Sequence, residues 1–116
     1  MGRMWVMAML LAAPVAAQEW NSRDEDRAFD AAALHARLAG QTLVFFDDGR
    51  SVYDADGKYR YTYGGGGTWY GYWRAGAGSV VCVTFVTGVE RCDRIVENGG
   101  RLVVLTGKGE RFPVRR

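Results

Sequence analysis

Residues 64–92 read GGGGTWYGYWRAGAGSVVCVTFVTGVERC and contain four consecutive glycines, two tryptophans, two tyrosines and both cysteines of the chain. Successive side chains of a β-strand point to opposite faces. Over residues 68–74 this alternation places Trp69, Gly71 and Trp73 on one face and the two tyrosines on the other. A glycine between two large side chains is typical of a bend, a bulge or a close backbone approach. The stretch therefore predicts a tightly curved sheet.

The two cysteines lie on neighbouring predicted strands, and the loop between these strands decides whether they can bond. A two-residue loop over 87–88 would place Cys82 and Cys92 on opposite faces of the hairpin. A three-residue loop over 86–88 places them directly opposite each other, with Gly88 in the left-handed position that closes such loops. Directly opposed strand residues come within reach of a disulfide. The sequence thus predicts a Cys82–Cys92 disulfide, with two buried free thiols as the alternative.

The N-terminus has the pattern of a secretory signal peptide. Arg3 supplies a positive charge, residues 4–13 form an apolar run too short to span a membrane, and Val-Ala-Ala at 15–17 matches a cleavage site. Removal of a signal peptide over residues 1–17 would leave a single β domain over residues 18–116. We expect a periplasmic or secreted protein with no membrane insertion after cleavage, in an oxidising compartment that favours the disulfide.

A helix is predicted near the start of this domain. Residues 22–25, SRDE, have the spacing of a capping box, and negative side chains are favourable at a helix N-terminus. Alanines and leucines further along form an apolar side, and Gly40 is placed to end the helix. We expect one amphipathic helix over about residues 22–39. It contains His35, the single histidine of the chain, which we expect to be exposed and without a catalytic or metal-binding role.

The chain after Gly40 has the pattern of short strands separated by turns. The turns are rich in Asp-Gly, Asn-Gly and Gly-Gly pairs, which suit tight hairpins rather than the long crossovers that parallel strands need. The predicted fold is mainly β, with an N-terminal amphipathic helix followed by an antiparallel meander of about eight short strands, as a small barrel or a strongly twisted sheet. The predicted strands cover residues 42–47, 50–54, 58–63, 68–74, 80–85, 89–96, 102–106 and 110–114.

Charge and polar motifs argue against several classes of function. The formal net charge is only +2 and the charges are spread along the chain, which gives no footprint for nucleic acid. The glycines at 64–67 lack the Lys-Ser/Thr of a phosphate loop, and Asp-Ala-Asp-Gly at 54–57 lacks the other ligands of a calcium loop. Two cysteines and one histidine cannot supply a four-ligand zinc site, and no motif pairs a serine with the histidine. We expect no catalytic activity, no cofactor and no metal.

Aromatic side chains are the strongest remaining candidates for function. In KYRYTY at 58–63 the three tyrosines share one face, and the neighbouring strand through the two tryptophans can extend it. Such faces stack sugars or anchor proteins. The alternative is that the tyrosines fill the barrel interior or pack under the helix, which is the commoner role of an aromatic stripe. The predicted binding residues are Tyr59, Tyr61, Tyr63, Trp69 and Trp73.

We therefore predict a non-catalytic periplasmic binding module whose partner is a protein or a cell-wall glycan. A structural or envelope-maintenance protein without a ligand is the first alternative. An enzyme is the second, and it is disfavoured because no acid, base, nucleophile or metal set can be assembled from the sequence. The oligomeric state does not follow from the sequence.

Glycine, tryptophan and cysteine recur in short motifs along the chain. These motifs are LAGQT at 38–42, the Asp-Gly turns, GTW at 67–69, GYW at 71–73, and the Val-Cys and Arg-Cys pairs at 81–82 and 91–92. The pattern resembles one in small exported proteobacterial proteins of unknown function, including the DUF995-like group. This resemblance implies export, a small β fold and a cysteine pair, and it implies no activity. Gly-x-Trp is also similar to the lipocalin signature, but that motif belongs on a first strand, so no ligand pocket is carried over.

Overall fold

The structure is a computed structural model that describes residues 20–115, so the predicted signal peptide at 1–17 lies outside the described residues. The elements in chain order are β1 (Arg27–Ala28), α1 (Ala31–Leu38), β2 (Gln41–Phe45), β3 (Arg50–Tyr53), β4 (Lys58–Thr62), β5 (Thr68–Ala75), β6 (Val80–Phe85), β7 (Glu90–Asn98), β8 (Arg101–Leu105) and β9 (Arg111–Arg115). A short 3₁₀ helix, Ala77–Ser79, connects β5 to β6.

Strands β2 to β9 form a closed antiparallel barrel. Each strand pairs with the next one along the chain, and β9 returns to pair with β2, where Val114 lies opposite Phe45. The short strand β1 pairs with β7. The predicted mainly β fold is confirmed, and the sheet closes into a barrel, which leaves the eight-stranded ring without an open edge.

The helix begins later than predicted. Helix α1 starts at Ala31, and its N-cap is Asp30, whose carboxylate accepts a hydrogen bond of 2.8 Å from the Ala33 amide. The predicted capping box at residues 22–25 is wrong, because this part of the chain forms a turn instead. Asp26 accepts a hydrogen bond from the Arg23 amide, and the chain then enters β1.

The N-terminal segment, residues 20–28, packs against the outside of the barrel. Trp20 lies on an outer apolar cluster formed by Val96, Val103 and Leu105. Asp26 accepts two hydrogen bonds from the Arg111 guanidinium, at 2.7 and 2.9 Å, and both side chains are less than one-tenth exposed. These contacts explain why the helix start was predicted wrongly, because distant tertiary partners bind Asp26, one of the acidic residues that the local pattern assigned to that start.

Helix α1 covers one end of the barrel. Leu34 and Leu38 are fully buried and belong to the same apolar core as the inward-facing side chains of the strands. His35 is exposed, as predicted, and its ring stacks on Trp73 with 4.9 Å between the ring centroids. The Trp73 indole N–H donates to the Asp54 carbonyl at 2.8 Å, which satisfies the polar atom of this buried ring.

The β6–β7 hairpin has the predicted register. Cys82 lies directly opposite Cys92, and the two form a disulfide. Gly88 adopts a φ of +93° in the connecting loop, as the three-residue loop requires. Free thiols are therefore excluded for the pair in this structure, and the disulfide links the two strands across the outer surface of the hairpin, because Val81 and Val83 on either side of Cys82 point inward.

Candidate functional site

The barrel contains a cavity of about 690 Å³ that opens at the end away from α1. The loops that connect β2 to β3, β4 to β5, β6 to β7 and β8 to β9 surround the opening. Aromatic rings and valines form most of the wall. The volume of the cavity lies within the range of about 300–1,000 Å³ that is usual for ligand pockets.

The strand register explains why the wall is aromatic. Tyr59 lies opposite Gly71, and Gly71 lies opposite Phe85 on the next strand. Because Gly71 has no side chain, the rings of Tyr59 and Phe85 meet across it, edge to face, with centroids 6.0 Å apart. A Cβ atom on Gly71 would lie 2.5 Å from the Thr84 carbonyl oxygen. Of the bend, bulge or close backbone approach expected at this glycine, the structure shows the close approach.

The five predicted binding residues occupy different depths on the concave inner face of the barrel. Tyr59 and Trp73 belong to the core and are 8% and 5% exposed. Tyr61 is half-buried, while Tyr63 and Trp69 are 52% and 45% exposed at the opening. Four of the five line the cavity, and Trp73 instead packs near the helix. The aromatic stripe thus runs from the core to the cavity mouth, and only its outer part is accessible.

Hydroxyl groups form one polar part of the inner wall. The Ser51 and Tyr59 hydroxyls are hydrogen-bonded at 2.9 Å. Burial raises the pKa of Tyr59 to about 12, and it raises the pKa of the adjacent Tyr53 well above its usual value. Both phenols are therefore neutral at physiological pH, and they can act as hydrogen-bond donors or acceptors to a bound molecule.

A charged pair, Arg91 and Asp93, also faces the cavity. The register places Arg91 opposite Val83 and Asp93 opposite Val81, both of which are buried valines. The Arg91 Nε–H donates to the Asp93 carboxylate at 2.9 Å, and the Asp93 side chain is only 17% exposed. Burial raises the pKa of Asp93, and the Arg91 cation opposes this shift.

Sequence reasoning missed this charged pair, although a signal for it was present. The predicted Cys82–Cys92 register already sets Val81 and Val83 opposite Asp93 and Arg91. Because the two valines belong to an apolar strand, their cross-strand partners had to face the interior as well. The register therefore predicts two charged groups on the inner face of the barrel, where charges are unusual. Asp93 is largely buried there, whereas the Arg91 side chain is 56% exposed.

Exposed apolar side chains surround the cavity mouth. Each of the mouth residues is between two-fifths and three-fifths exposed, although large apolar groups of this kind are usually covered. Two exposed carboxylates, Asp47 and Glu110, lie among them. The apolar mouth residues are Phe46, Tyr63, Trp69, Val89 and Phe112.

Comparison with protein-family models, with curated proteins and with solved structures finds no match to this chain. Residues 20–115 contain no cluster of histidine, cysteine or acidic side chains that could hold a metal ion. No helix within the same residues is long and apolar enough to cross a membrane. The geometry of the cavity is therefore the main guide to function.

Proposed function

We propose that this protein is a non-catalytic binding module that takes a small, largely apolar molecule into the barrel cavity. The cavity itself carries the proposal: it encloses about 690 Å³, is open at one end, and has mainly aromatic and valine walls. Ligand pockets typically combine apolar walls with a few polar groups that fix orientation. Here the Ser51 and Tyr59 hydroxyls and the Arg91–Asp93 pair supply such groups.

The exposed apolar mouth supports the same function. Apolar groups that remain exposed around a concave opening commonly mark a binding site. Trp69 contacts Phe85 edge to face, with 6.0 Å between the ring centroids, so the exposed mouth is continuous with the buried wall. An apolar molecule entering the barrel would remain in contact with aromatic surface along its whole path.

A neutral fluorescent probe, N-phenyl-1-naphthylamine, tests this proposal by its increase in emission in an apolar site. Trp69→Leu removes an aromatic wall at the mouth and should weaken probe binding by about tenfold, which corresponds to about 1.4 kcal/mol. Tyr72→Leu is the matched control, because Tyr72 is on the same strand and is 58% exposed but faces outward. It should leave probe affinity unchanged.

Two results would contradict the proposal. Equal losses of affinity in both variants would place the probe on the outer surface, and a complete lack of probe binding would argue for a structural protein without a ligand. Circular dichroism of each variant establishes that the barrel is still folded.

A protein or cell-wall glycan remains a second candidate for the partner. The supporting observation is that Tyr63 and Trp69 expose about half of their surface at the mouth, where a sugar ring could stack. Soluble peptidoglycan fragments should then displace the probe in competition, and Tyr63→Leu should reduce the affinity of the protein for these fragments. If the fragments neither bind nor compete, the glycan is eliminated and the apolar ligand remains.

We also infer that the protein acts in the periplasm or outside the cell. The signal-peptide pattern and the Cys82–Cys92 disulfide both support this location, because structural disulfides persist in oxidising compartments. Mass spectrometry of the protein from the cell envelope should find Gln18 at the N-terminus. An intact Met1 form in the cytosolic fraction would overturn the inference.

A further inference from the structure

Carboxylates outnumber cations among the side chains that line the cavity. Within the described residues, the lining includes three carboxylates, from Asp47, Asp93 and Glu110, and one cationic side chain, Arg91. Arg91 already donates to Asp93, so these two charges largely compensate each other. Asp47 and Glu110 are both exposed at the mouth. Among the lining side chains, carboxylates therefore outnumber cations at the mouth. Two guanidiniums lie nearby, because Arg101 and Arg115 are 5.4 and 5.6 Å from the centroid of the Phe46 ring, and Arg115 pairs with Asp48.

Two tyrosine rings form a corner beside one of these carboxylates. The rings of Tyr61 and Tyr63 are 5.0 Å apart between centroids and lie at 87° to each other. A Cβ atom on Gly49 would overlap the Tyr61 hydroxyl oxygen and lie 3.0 Å from Asp47 Oδ1, so the carboxylate lies close to the hydroxyl end of this ring. Perpendicular aromatic rings beside a carboxylate are the arrangement that attracts ammonium groups.

The backbone holds Asp47 in this position. Its carboxylate accepts a hydrogen bond of 2.8 Å from the Gly49 amide, which orients the side chain within the β2–β3 turn. A Cβ atom on Gly64 would overlap the Asp47 carbonyl oxygen, so the β4–β5 loop lies directly against the same turn. The carboxylate is thus preorganised at the mouth, which reduces the entropy lost when a ligand binds.

From this geometry we propose that the ligand is an amphipathic organic cation. Its positively charged head is held by Asp47, Tyr61 and Tyr63 at the mouth, and its apolar tail extends into the barrel. This inference rests on the proposed function and specifies the ligand class for the same cavity. Among the residues that line the cavity, an anionic head would have only Arg91, which is already engaged by Asp93. Its alternative is Arg101, beside Phe46 at the mouth, and the comparison with decanoate below tests this possibility.

Titration calorimetry with three ligands of equal chain length tests the head group separately from the tail. Decyltrimethylammonium, decan-1-ol and decanoate are compared below the micelle-forming concentrations of the two ions and below the solubility limit of the alcohol. The cation should bind about tenfold more tightly than the alcohol, and decanoate more weakly than either. Added salt should reduce the advantage of the cation, because exposed charges are screened.

Two neighbouring aspartates provide matched variants. Asp47→Asn removes the charge that we assign to head-group binding. It should reduce the affinity for the cation about three- to tenfold and leave the affinity for decan-1-ol unchanged. Asp48→Asn makes the same change one residue away, where the side chain pairs with Arg115 at 3.1 Å and does not line the cavity. Because this variant frees Arg115, which lies 5.6 Å from the centroid of the Phe46 ring at the mouth, it should reduce the affinity for the cation less than Asp47→Asn does and leave the affinity for decan-1-ol unchanged.

The outcomes separate this inference from the proposed function. Equal affinity for the cation and the alcohol, or tighter binding of decanoate, would overturn the cationic ligand while leaving an apolar cavity in use. Equal effects of Asp47→Asn and Asp48→Asn would overturn the assigned position of the head group. If neither these ligands nor the neutral probe binds, the proposed function itself fails.

Discussion

Arg111 donates two hydrogen bonds to Asp26, and this pair joins the last strand of the barrel to the N-terminal segment. Asn98 donates to the same carboxylate at 2.8 Å. The hydrogen bonds from Arg111 are the largest reason that the pKa of Asp26 lies far below its usual value. The pair fixes residues 20–28 on the barrel surface, where Trp20 covers the outer apolar cluster.

Asp26→Asn should destabilise the protein by about 1.5–3 kcal/mol at neutral pH, because it removes the charge that Arg111 binds. Asp24→Asn is the control, since Asp24 is exposed and forms no ion pair within the described residues. Urea denaturation at pH 7 measures both variants. Equal stability of Asp26→Asn and the parent would show that the pair contributes nothing.

The Asp26–Arg111 pair should make the free energy of unfolding depend on pH under acidic conditions. The pKa of Asp26 is lower in the folded protein than its unfolded value of about 3.8, so the unfolded state binds the proton first. The contribution is complete above about pH 4–5 and is lost progressively as the pH falls below the unfolded value. The difference between the parent and Asp26→Asn should therefore shrink between pH 5 and pH 2. A constant difference over this range would be inconsistent with the ion pair.

The two strand-β5 tryptophans should differ in their effect on stability. Trp73 is 5% exposed, and Trp73→Ala should cost about 3–5 kcal/mol, as is typical of a buried tryptophan. Trp69 is 45% exposed at the cavity mouth, and Trp69→Ala should cost about 1 kcal/mol or less. Thermal unfolding followed by circular dichroism measures both. The assignment of Trp73 to the core is wrong if the two variants have the same melting temperature.

Gly71→Ala should be strongly destabilising although it adds only one methyl group. The new Cβ would lie 2.5 Å from the Thr84 carbonyl oxygen and 2.9 Å from the Phe85 Cα. These atoms belong to the backbone of β6, which is hydrogen-bonded to β5 and cannot move away freely. Overpacking of this kind typically costs about 1–3 kcal/mol. Gly65→Ala is the control, because its Cβ would meet no atom within 4 Å. A similar melting temperature for both variants would contradict the close approach.

The disulfide should stabilise the barrel without being required for it. Cys82 and Cys92 are ten residues apart, and closing a loop of this size contributes roughly 3 kcal/mol in the chain-entropy model. The double variant Cys82→Ser/Cys92→Ser should therefore keep its β circular dichroism spectrum and melt at a lower temperature. Thiol counting on the denatured, unreduced parent protein should find no free thiol, and two free thiols would refute the bond.

Local patterns predicted most of the fold, because turn residues and strand alternation act over short distances. The odd loop length and Gly88 determined the register of the cysteine hairpin, and the structure has that register. The start of the helix was predicted wrongly, because Asp26 is bound by Arg111, which is 85 residues away in the chain. No local pattern contains that contact.

The cavity could be predicted only in part. Alternation placed three tyrosines on one face, but that face becomes the inside of a barrel only when β9 pairs with β2. The depth of each ring then depends on its distance from the mouth, which explains why Tyr59 is buried and Tyr63 is exposed. Barrel closure is a tertiary property, so the sequence could supply the aromatic wall but not the space that it encloses.

The most direct test of the cavity as a binding site is a methyl NMR titration with N-phenyl-1-naphthylamine. The barrel offers matched sets of valines, with Val81, Val83 and Val104 facing the cavity and Val96 and Val103 in the outer cluster. We predict saturable shifts of the inward valines while the outer valines remain unchanged. Shifts confined to the outer valines, or no saturable shift in either set, would contradict a ligand-binding cavity.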